Sequence, residues 1–490
     1  MSKKKPNIII FNPDEFRAGA LCHLGNDASQ TPNFDDICVN DGVSFRNAFC
    51  QNPVCTPSRC SFMSGWYPHV RGHRTMHNMI HKDEPVLLKT LKDNGYFVWW
   101  GGKNDLIPGQ DPEIFSEYCD VKYKKTKELR KNLHDDLTWR GNEESDNYYS
   151  FYAGKLDKKQ EDVYYDSDWD YVYGAIEFIK NYDGKKPFCI YLPLSYPHPP
   201  YGVEEPWYSS IDKKKLDERI KIDNWDLKPS ILKGIKERQK LNGWTEERWD
   251  ELRAVYLGMC SRIDYQFGLI VDAIKEKKLY DDTAVFVFSD HGDYSGDYGI
   301  VEKNQNTFED ALTNVPFIIK PPANIKIKAG INDALVELLD FPATVSDITG
   351  IDLEQNHFGK SLIPLIKGDV NEHKDAVFCE GGRLHDEVQC MEMQSVNDQS
   401  TDGLYYPRLS LQRSEGPEHG KAVMCRTKDF KYVNRLYELD EFYDLKKDPK
   451  EINNVINDIA YTNVINEMKQ RMLKFFMETS DVVPLKTDKR

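Results

Sequence analysis

The sequence lacks any long apolar run. Its most hydrophobic opening stretch, Ile8 to Phe11, is far too short for a membrane span or for the core of a secretory leader. As written, the chain is expected to act in the cytoplasm, or in the periplasm or outside the cell if the native start differs, with no membrane partner. Positive charge is also scarce: 65 Lys and Arg against 80 Asp and Glu leave a net charge of −15. That excludes a surface-wide groove for nucleic acid, although a small basic pocket remains compatible with it. Collagen-like, mucin-like and internally repeated patterns are missing. The 11 cysteines form an odd set without regular spacing, so no disulfide framework is expected, and most should be reduced and buried. What is present is an ordinary folding composition over 490 residues. That length calls for more than one core, and the expected division is a large domain at 1–367 and a smaller one at 368–490.

Short, β-rich apolar runs alternate with amphipathic stretches: Asn7 to Phe11, Tyr96 to Trp100, Phe188 to Leu192, Ala284 to Phe288 and Val315 to Ile319. Strands that are apolar throughout belong inside a mostly parallel sheet covered by helices on both faces. Trp249, Leu252, Tyr256, Met259, Ile263 and Phe267 fall at helical spacing, which predicts a sheet-covering helix over Thr245 to Lys275. Past Lys367, short strands predict a small antiparallel sheet with a closing helix. The segments Tyr118 to Tyr173 and Tyr201 to Trp249 are read as insertions whose aromatics could roof a pocket. Polar residues directly follow three of the strands: Asp14 and Glu15, His198, and Asp290 with His291. Ligands of open α/β sheets bind at such carboxyl ends.

One stretch carries most of the chemistry. In NPVCTPSRCSFMSGWYPHVRG the residues Cys55, Pro57, Ser58, Arg59, Met63, Ser64, Gly65, Pro68 and Gly72 form one ordered pattern that resembles the sulfatase signature, in which the cysteine of a Cys-x-Pro-Ser-Arg core is oxidised to formylglycine. The likeness extends from PNIIIFNPDEF through TPNFDDI to VFVFSDHGDYSGDYG and covers most of the chain. It implies an α/β fold of the alkaline-phosphatase-like type, a mostly parallel sheet flanked by helices, with a smaller C-terminal α+β subdomain carrying an antiparallel sheet.

The resemblance also assigns residues. It implies Cys55 as the formylglycine nucleophile, and Asp14, Glu15, Asp290 and His291 as ligands of Ca2+, with Mg2+ or Mn2+ as alternatives because a histidine is less typical of calcium. Lys103 and Lys303 correspond to lysines that neutralise the transferred group, and His198 to a general acid toward the departing alcohol. Arg59 offers a permanently charged donor fork to sulfate or phosphate. Asp290 could take a proton from the hydrate. Asn78 matches a pocket position. One frame departs from the family, which usually reads Gly-Lys-Trp-His: here it is Gly102-Lys103-Asn104-Asp105, so Asp105, or another group such as His73, would have to serve in place of the histidine. Glu15 stands where Asp, Gln or Asn is common.

The expected activity is hydrolysis of a sulfate ester, on a sulfated small molecule or oligosaccharide, after maturation by a formylglycine-generating enzyme. Two alternatives are a phosphonate or phosphate monoester hydrolase of the same superfamily and a non-catalytic carbohydrate-binding relative, against which the complete CTPSR core speaks.

Overall fold

The computed structural model describes residues 4–110, 112–126, 133–134, 136–156, 165–353, 355–392, 400–413, 416–487 and 489. Its strands along the chain are β1 (Asn7–Asp14), β2 (Val43–Phe49), β3 (Phe97–Trp100), β4 (Val121–Lys122), β5 (Tyr152–Lys155), β6 (Phe188–Pro197), β7 (Tyr201–Val203), β8 (Thr283–Phe288), β9 (Phe317–Lys320), β10 (Gly330–Glu337), β11 (Val377–Gly381), β12 (Ala422–Arg426), β13 (Phe430–Arg435) and β14 (Glu441–Asp444).

The main sheet has 8 strands in the order β10-β2-β9-β8-β1-β6-β3-β4. β1 is buried along its whole length because both of its faces are covered. Ile8 and Ile10 join one apolar cluster, and Ile9 and Phe11 join the other, as strand alternation requires. Each such side chain stabilises the fold by about 1.5–3 kcal/mol through burial. The helices Cys55–Ser64 and Asp340–Thr349 cover the first face, supplying Phe62 and Phe341. The other face carries Ser167–Asn181 and the long Glu246–Glu276 helix, to which Thr245 gives an N-cap by accepting from the Arg248 amide.

Four of the five expected apolar strands, β8, β1, β6 and β3, run parallel to one another in this sheet. The fifth, near Val315 to Ile319, is β9, and it runs antiparallel to both β2 and β8. Among the strands that the apolar runs did not reveal are β2 and β10. VSFRNAF in β2 is interrupted by Arg46 and Asn47, and β10 begins with exposed and half-buried positions before its buried second half, so neither looks apolar throughout. The insertion segments are also more ordered than expected: β5 and β7 pair in parallel, and Ser167–Asn181 is a helix packed on β6.

Beyond 367, β11-β12-β13-β14 form a 4-stranded antiparallel sheet. The helix Thr462–Thr479 closes it, burying Met468 and Phe475 against Val423 and Tyr432. Among the described residues no helix is long and apolar enough to cross a membrane.

Candidate active site

The strand order explains where the polar residues meet. β8, β1, β6 and β3 lie side by side and parallel, so their carboxyl ends share one edge. Asp290 follows β8, Asp14 ends β1, His198 follows β6 and Lys103 follows β3. Cys55 opens a helix whose ten residues Cys55–Ser64 are all buried and which stops at Gly65, in the left-handed region at φ 76°. Ser58 and Arg59 stand three and four residues after Cys55, so they share its face of the helix. Ser58 Oγ donates to the Asp290 carbonyl at 2.6 Å, docking this helix onto the loop after β8.

Cys55 Sγ lies 3.4 Å from Asp14 Oδ1 and 3.2 Å from His291 Nε2. Burial, and then the charge of Asp14, push its thiol well above the ordinary value. Unmodified, the side chain is a protonated, sealed thiol and a poor nucleophile. Burial also works against ionisation of Asp14, but Lys103, followed by His198 and Arg59, more than offsets it and holds that carboxyl well below its usual range. Lys103 Nζ donates to Asp14 Oδ2 and sits 3.2 Å from Asp105 Oδ2.

Asp14, Cys55, Asp290 and His291 bring one potential ligand atom each to within 4.8 Å of the others, all of them buried. His291 Nδ1 lies 3.0 Å from the Gly292 carbonyl. Donation there leaves Nε2 with its lone pair toward Cys55, the tautomer a metal ligand requires. Two carboxylates, one imidazole and the position of Sγ, which stands for an oxygen on the modified side chain, fit a divalent cation.

Glu15, expected among the same ligands, goes elsewhere. Its amide donates to Asp290 Oδ1 at 3.2 Å, but its carboxylate Oε2 turns to Lys303 Nζ at 2.7 Å and lies 3.4 Å from His198 Nε2. The backbone at Glu15 is left-handed, φ 65°, which aims this side chain away from the direction Asp14 takes. With Asp14 and His198 it forms a second group of three potential ligands.

Arg59 also differs from expectation. It is fully buried, and its fork is committed inward: Nε and Nη2 reach Asp290 Oδ2 at 3.0 and 2.8 Å, and Nη1 donates to Asn12 Oδ1 at 2.9 Å. The physical reason is that Asp14 and Asp290, taken out of water together, need a permanent cation between them. Asp290 has both oxygens occupied, since Oδ1 accepts the amides of Glu15 and His291 as well.

His198 directs Nδ1 to the Pro199 carbonyl at 2.6 Å and Nε2 to Lys303 Nζ at 2.8 Å. Burial first, and the Lys303 charge second, hold its pKa well below the ordinary histidine value. Asp105 enters the site, with Oδ2 facing both Lys103 and, at 3.9 Å, Arg59 Nε. His73 does not compete for that place, because Nδ1 meets the Asn78 carbonyl at 2.8 Å and Nε2 meets Glu84 at 2.9 Å. Asn78 lies in the turn whose Met76 carbonyl accepts from Thr56, and its side chain accepts from Thr75.

Several residues that sequence reasoning passed over belong here. Asn12, a polar residue within the first apolar strand, ties Arg59 to the Phe288 carbonyl, and that polarity was its only signal. Tyr201 donates to Asp293 at 2.8 Å and accepts from the Glu302 amide at 2.9 Å. His134, from a distant segment, brings its ring to 5.6 Å from that of His198, and Tyr405 stacks in turn on His134 at 6.2 Å between centroids. Neither carries a motif.

Residues 6–351 match the family described as Sulfatase, and residues 386–478 match the one described as N-sulphoglucosamine sulphohydrolase, C-terminal. The multifunctional alkaline phosphatase superfamily protein PehA of Trinickia caryophylli is 24% identical, covering 97% of this chain and 96% of that protein. The N-acetylglucosamine-6-O-sulfatase of Bacteroides thetaiotaomicron is also 24% identical, with 95% of this chain and 85% of that one covered. The crystal structure of the phosphonate monoester hydrolase of Agrobacterium radiobacter superposes with a TM-score of 0.75 at 19% identity, over 98% of this chain and 97% of the other. With the first family spanning both strand ends and the Cys55 helix, the chain belongs to the sulfatases, sulfuric ester hydrolases of the alkaline-phosphatase-like α/β fold.

Proposed function

We propose that the protein hydrolyses a sulfate ester on a sulfated carbohydrate, using a formylglycine made from Cys55 beside a divalent cation, with Ca2+ the expected ion. The observation that carries this reading is Cys55 itself. It is buried at the head of its helix, its thiol is protonated by its surroundings, and its Sγ points into the Asp14, Asp290 and His291 group. Such a thiol is unsuited to attack, whereas the hydrated aldehyde supplies one hydroxyl to take up the transferred group and a second whose deprotonation expels it. The cation supplies Lewis acidity to that hydroxyl and a contact for an oxyanion.

The chain's own residues then divide the work. Asp14, Asp290 and His291 hold the cation, and Arg59 and Asn12 keep the two carboxylates in place. Lys103 balances the charge of the transferred group, with Asp105 fixing its ammonium. His198, matching a general acid toward the departing oxygen, receives a hydrogen bond on Nε2 from the Lys303 ammonium 2.8 Å away, which places the two side by side to serve the leaving group. The likeness to a glucosamine sulfatase supports a sulfated sugar as substrate. Mass spectrometry of the peptide containing Cys55, from a host with the maturation enzyme, tests the reading: a deficit relative to cysteine is expected, and an intact thiol refutes it.

A second reading, hydrolysis of phosphonate or phosphate monoesters, draws support from the imidazole in the ligand group and the likeness to a phosphonate monoester hydrolase. Turnover of aryl sulfate against aryl phosphonate monoester separates the two.

A further inference from the structure

We infer that His134 and Tyr405 form a wall on the leaving-group side of the site, and that this wall selects sulfate esters of ring alcohols over those of open-chain alcohols. The inference rests on the sulfate-ester reading, because it takes His198 and Lys303 as the groups that face the departing alcohol, and it adds the residues that recognise that alcohol.

Three observations carry it. The first is position. The His134 ring lies 5.6 Å from that of His198, and Tyr405 stacks on His134 at 6.2 Å with 25° between the planes, its hydroxyl 3.5 Å from His134 Nδ1. Burial raises the pKa of the Tyr405 phenol, and the charge acting on it most is that of Lys303. The two rings therefore continue the surface that His198 and Lys303 begin. The second is exposure: His198, His134 and Tyr405 are each half-buried, whereas core rings such as Phe11 and Tyr201 are closed completely. The third is support from behind. Phe151 meets the Tyr405 ring at 5.4 Å between centroids, and the Arg408 guanidinium carbon stands 5.4 Å from the ring centre. Arg408 is itself held by Glu302 at 3.3 Å and by Glu392. Phe151 takes the left-handed backbone, φ 57°, a costly conformation for a bulky residue that persists only where the surroundings impose it. Tyr405 is thus a braced platform, with its orientation set before any ligand arrives.

A saturated six-membered ring presents a broad face of C–H bonds that can lie flat on an aromatic side chain, a contact that a short open-chain alcohol makes only at its end. The Tyr405 hydroxyl and the His134 imidazole add polar edges to the same wall, and each can donate or accept a hydrogen bond. An apolar face with a polar rim matches a pyranose. Neither residue has a part in holding the cation or the transferred group, so removing either ring acts on recognition of the alcohol.

The test is calorimetric titration of the full-length Cys55→Ala protein, which binds without turning over, with cyclohexyl sulfate and isopropyl sulfate. Both are esters of secondary alcohols, and they differ in the ring. Cyclohexyl sulfate should bind about tenfold more tightly. Adding Tyr405→Ala or His134→Ala should bring that ratio down to about two, with the Kd of isopropyl sulfate moving less than about twofold. Tyr405→Phe keeps the ring and should keep most of the preference. Should Tyr405→Ala fail to fold, Tyr405→Leu removes the flat face with less loss of volume, and the same fall is expected. A ratio that neither ring's removal changes, or an equal loss for both sulfates in the folded variants, overturns the inference. A ring preference that depends on Tyr405, combined with no turnover of either ester by the matured wild type, would support the wall while refuting the hydrolase reading.

Discussion

Arg59 shows how a residue expected to touch substrate can instead hold the acids that surround it. With its guanidinium spread between Asp290 and Asn12 and its Nη2 3.4 Å from Asp14, Arg59→Met leaves two buried carboxylates without their shared cation. Breaking a buried pair in this way costs about 3–5 kcal/mol. A loss of that size is expected in urea unfolding of the variant, together with loss of activity; an unchanged midpoint would show that the guanidinium is free to serve an anion. Cys55 makes the opposite case. Its Sγ contributes little packing, so Cys55→Ala should abolish turnover of a sulfate ester while shifting stability by no more than about 1 kcal/mol, measured by thermal unfolding. Retained turnover would remove residue 55 from the chemistry.

Among elements, the long helix Glu246–Glu276 does more than cover the sheet. From its middle, Asp264 accepts the amides of Asn33 and Phe34 at 3.1 and 2.8 Å and so caps the helix Pro32–Asn40, whose own N-cap side chain makes no such bond. Burial pushes the Asp264 carboxyl up to about 7, against the pull of those amides. The folded state therefore holds the proton more tightly than the unfolded chain does. This group's contribution to stability is complete below the unfolded pKa of about 4 and disappears as pH rises through about 7. Asp264→Asn does not titrate, so its melting temperature relative to wild type should climb between pH 5 and pH 8, and a constant difference would contradict the assignment. Asp264 also marks a limit of legibility. The helix was readable from the spacing of Trp249, Leu252 and Tyr256, because periodicity is a local property. That its polar Asp264 would reach Asn33 and Phe34, 230 positions away from the latter, has no local signature.

At the scale of the whole molecule, the two sheets are bound into one body around the segment that follows Lys303. Lys431 donates to Asp310 at 2.7 Å and Arg426 pairs with it at 3.0 Å, Asn306 donates to the Gly420 carbonyl at 2.9 Å, and Arg408 reaches Glu302 at 3.3 Å. A cation held by Asp14, Asp290 and His291 binds the folded state alone, so chelation should lower the unfolding midpoint of the entire chain in a single transition. The loss should be about 2.7 kcal/mol if the free ion had stood at 100 times its Kd; calorimetry with and without chelator checks this, and a midpoint indifferent to chelator would speak against the centre. The alignment of motifs with sheet edge was readable beforehand, since Cys55 belongs to an ordered pattern and Asp14, Asp290 and His198 follow apolar strands. The bearing of Glu15, the inward turn of Arg59 and the approach of Tyr405 were not, because each depends on groups brought together from hundreds of positions apart. The enclosure of Cys55 has a consequence for the maturation proposed here. Only 1% of this residue meets solvent, so an oxidising enzyme acting on it would have to do so while the chain is still open. On that proposal a molecule that closes too soon would be a stable but inert twin, rescued only by unfolding and a second passage through maturation.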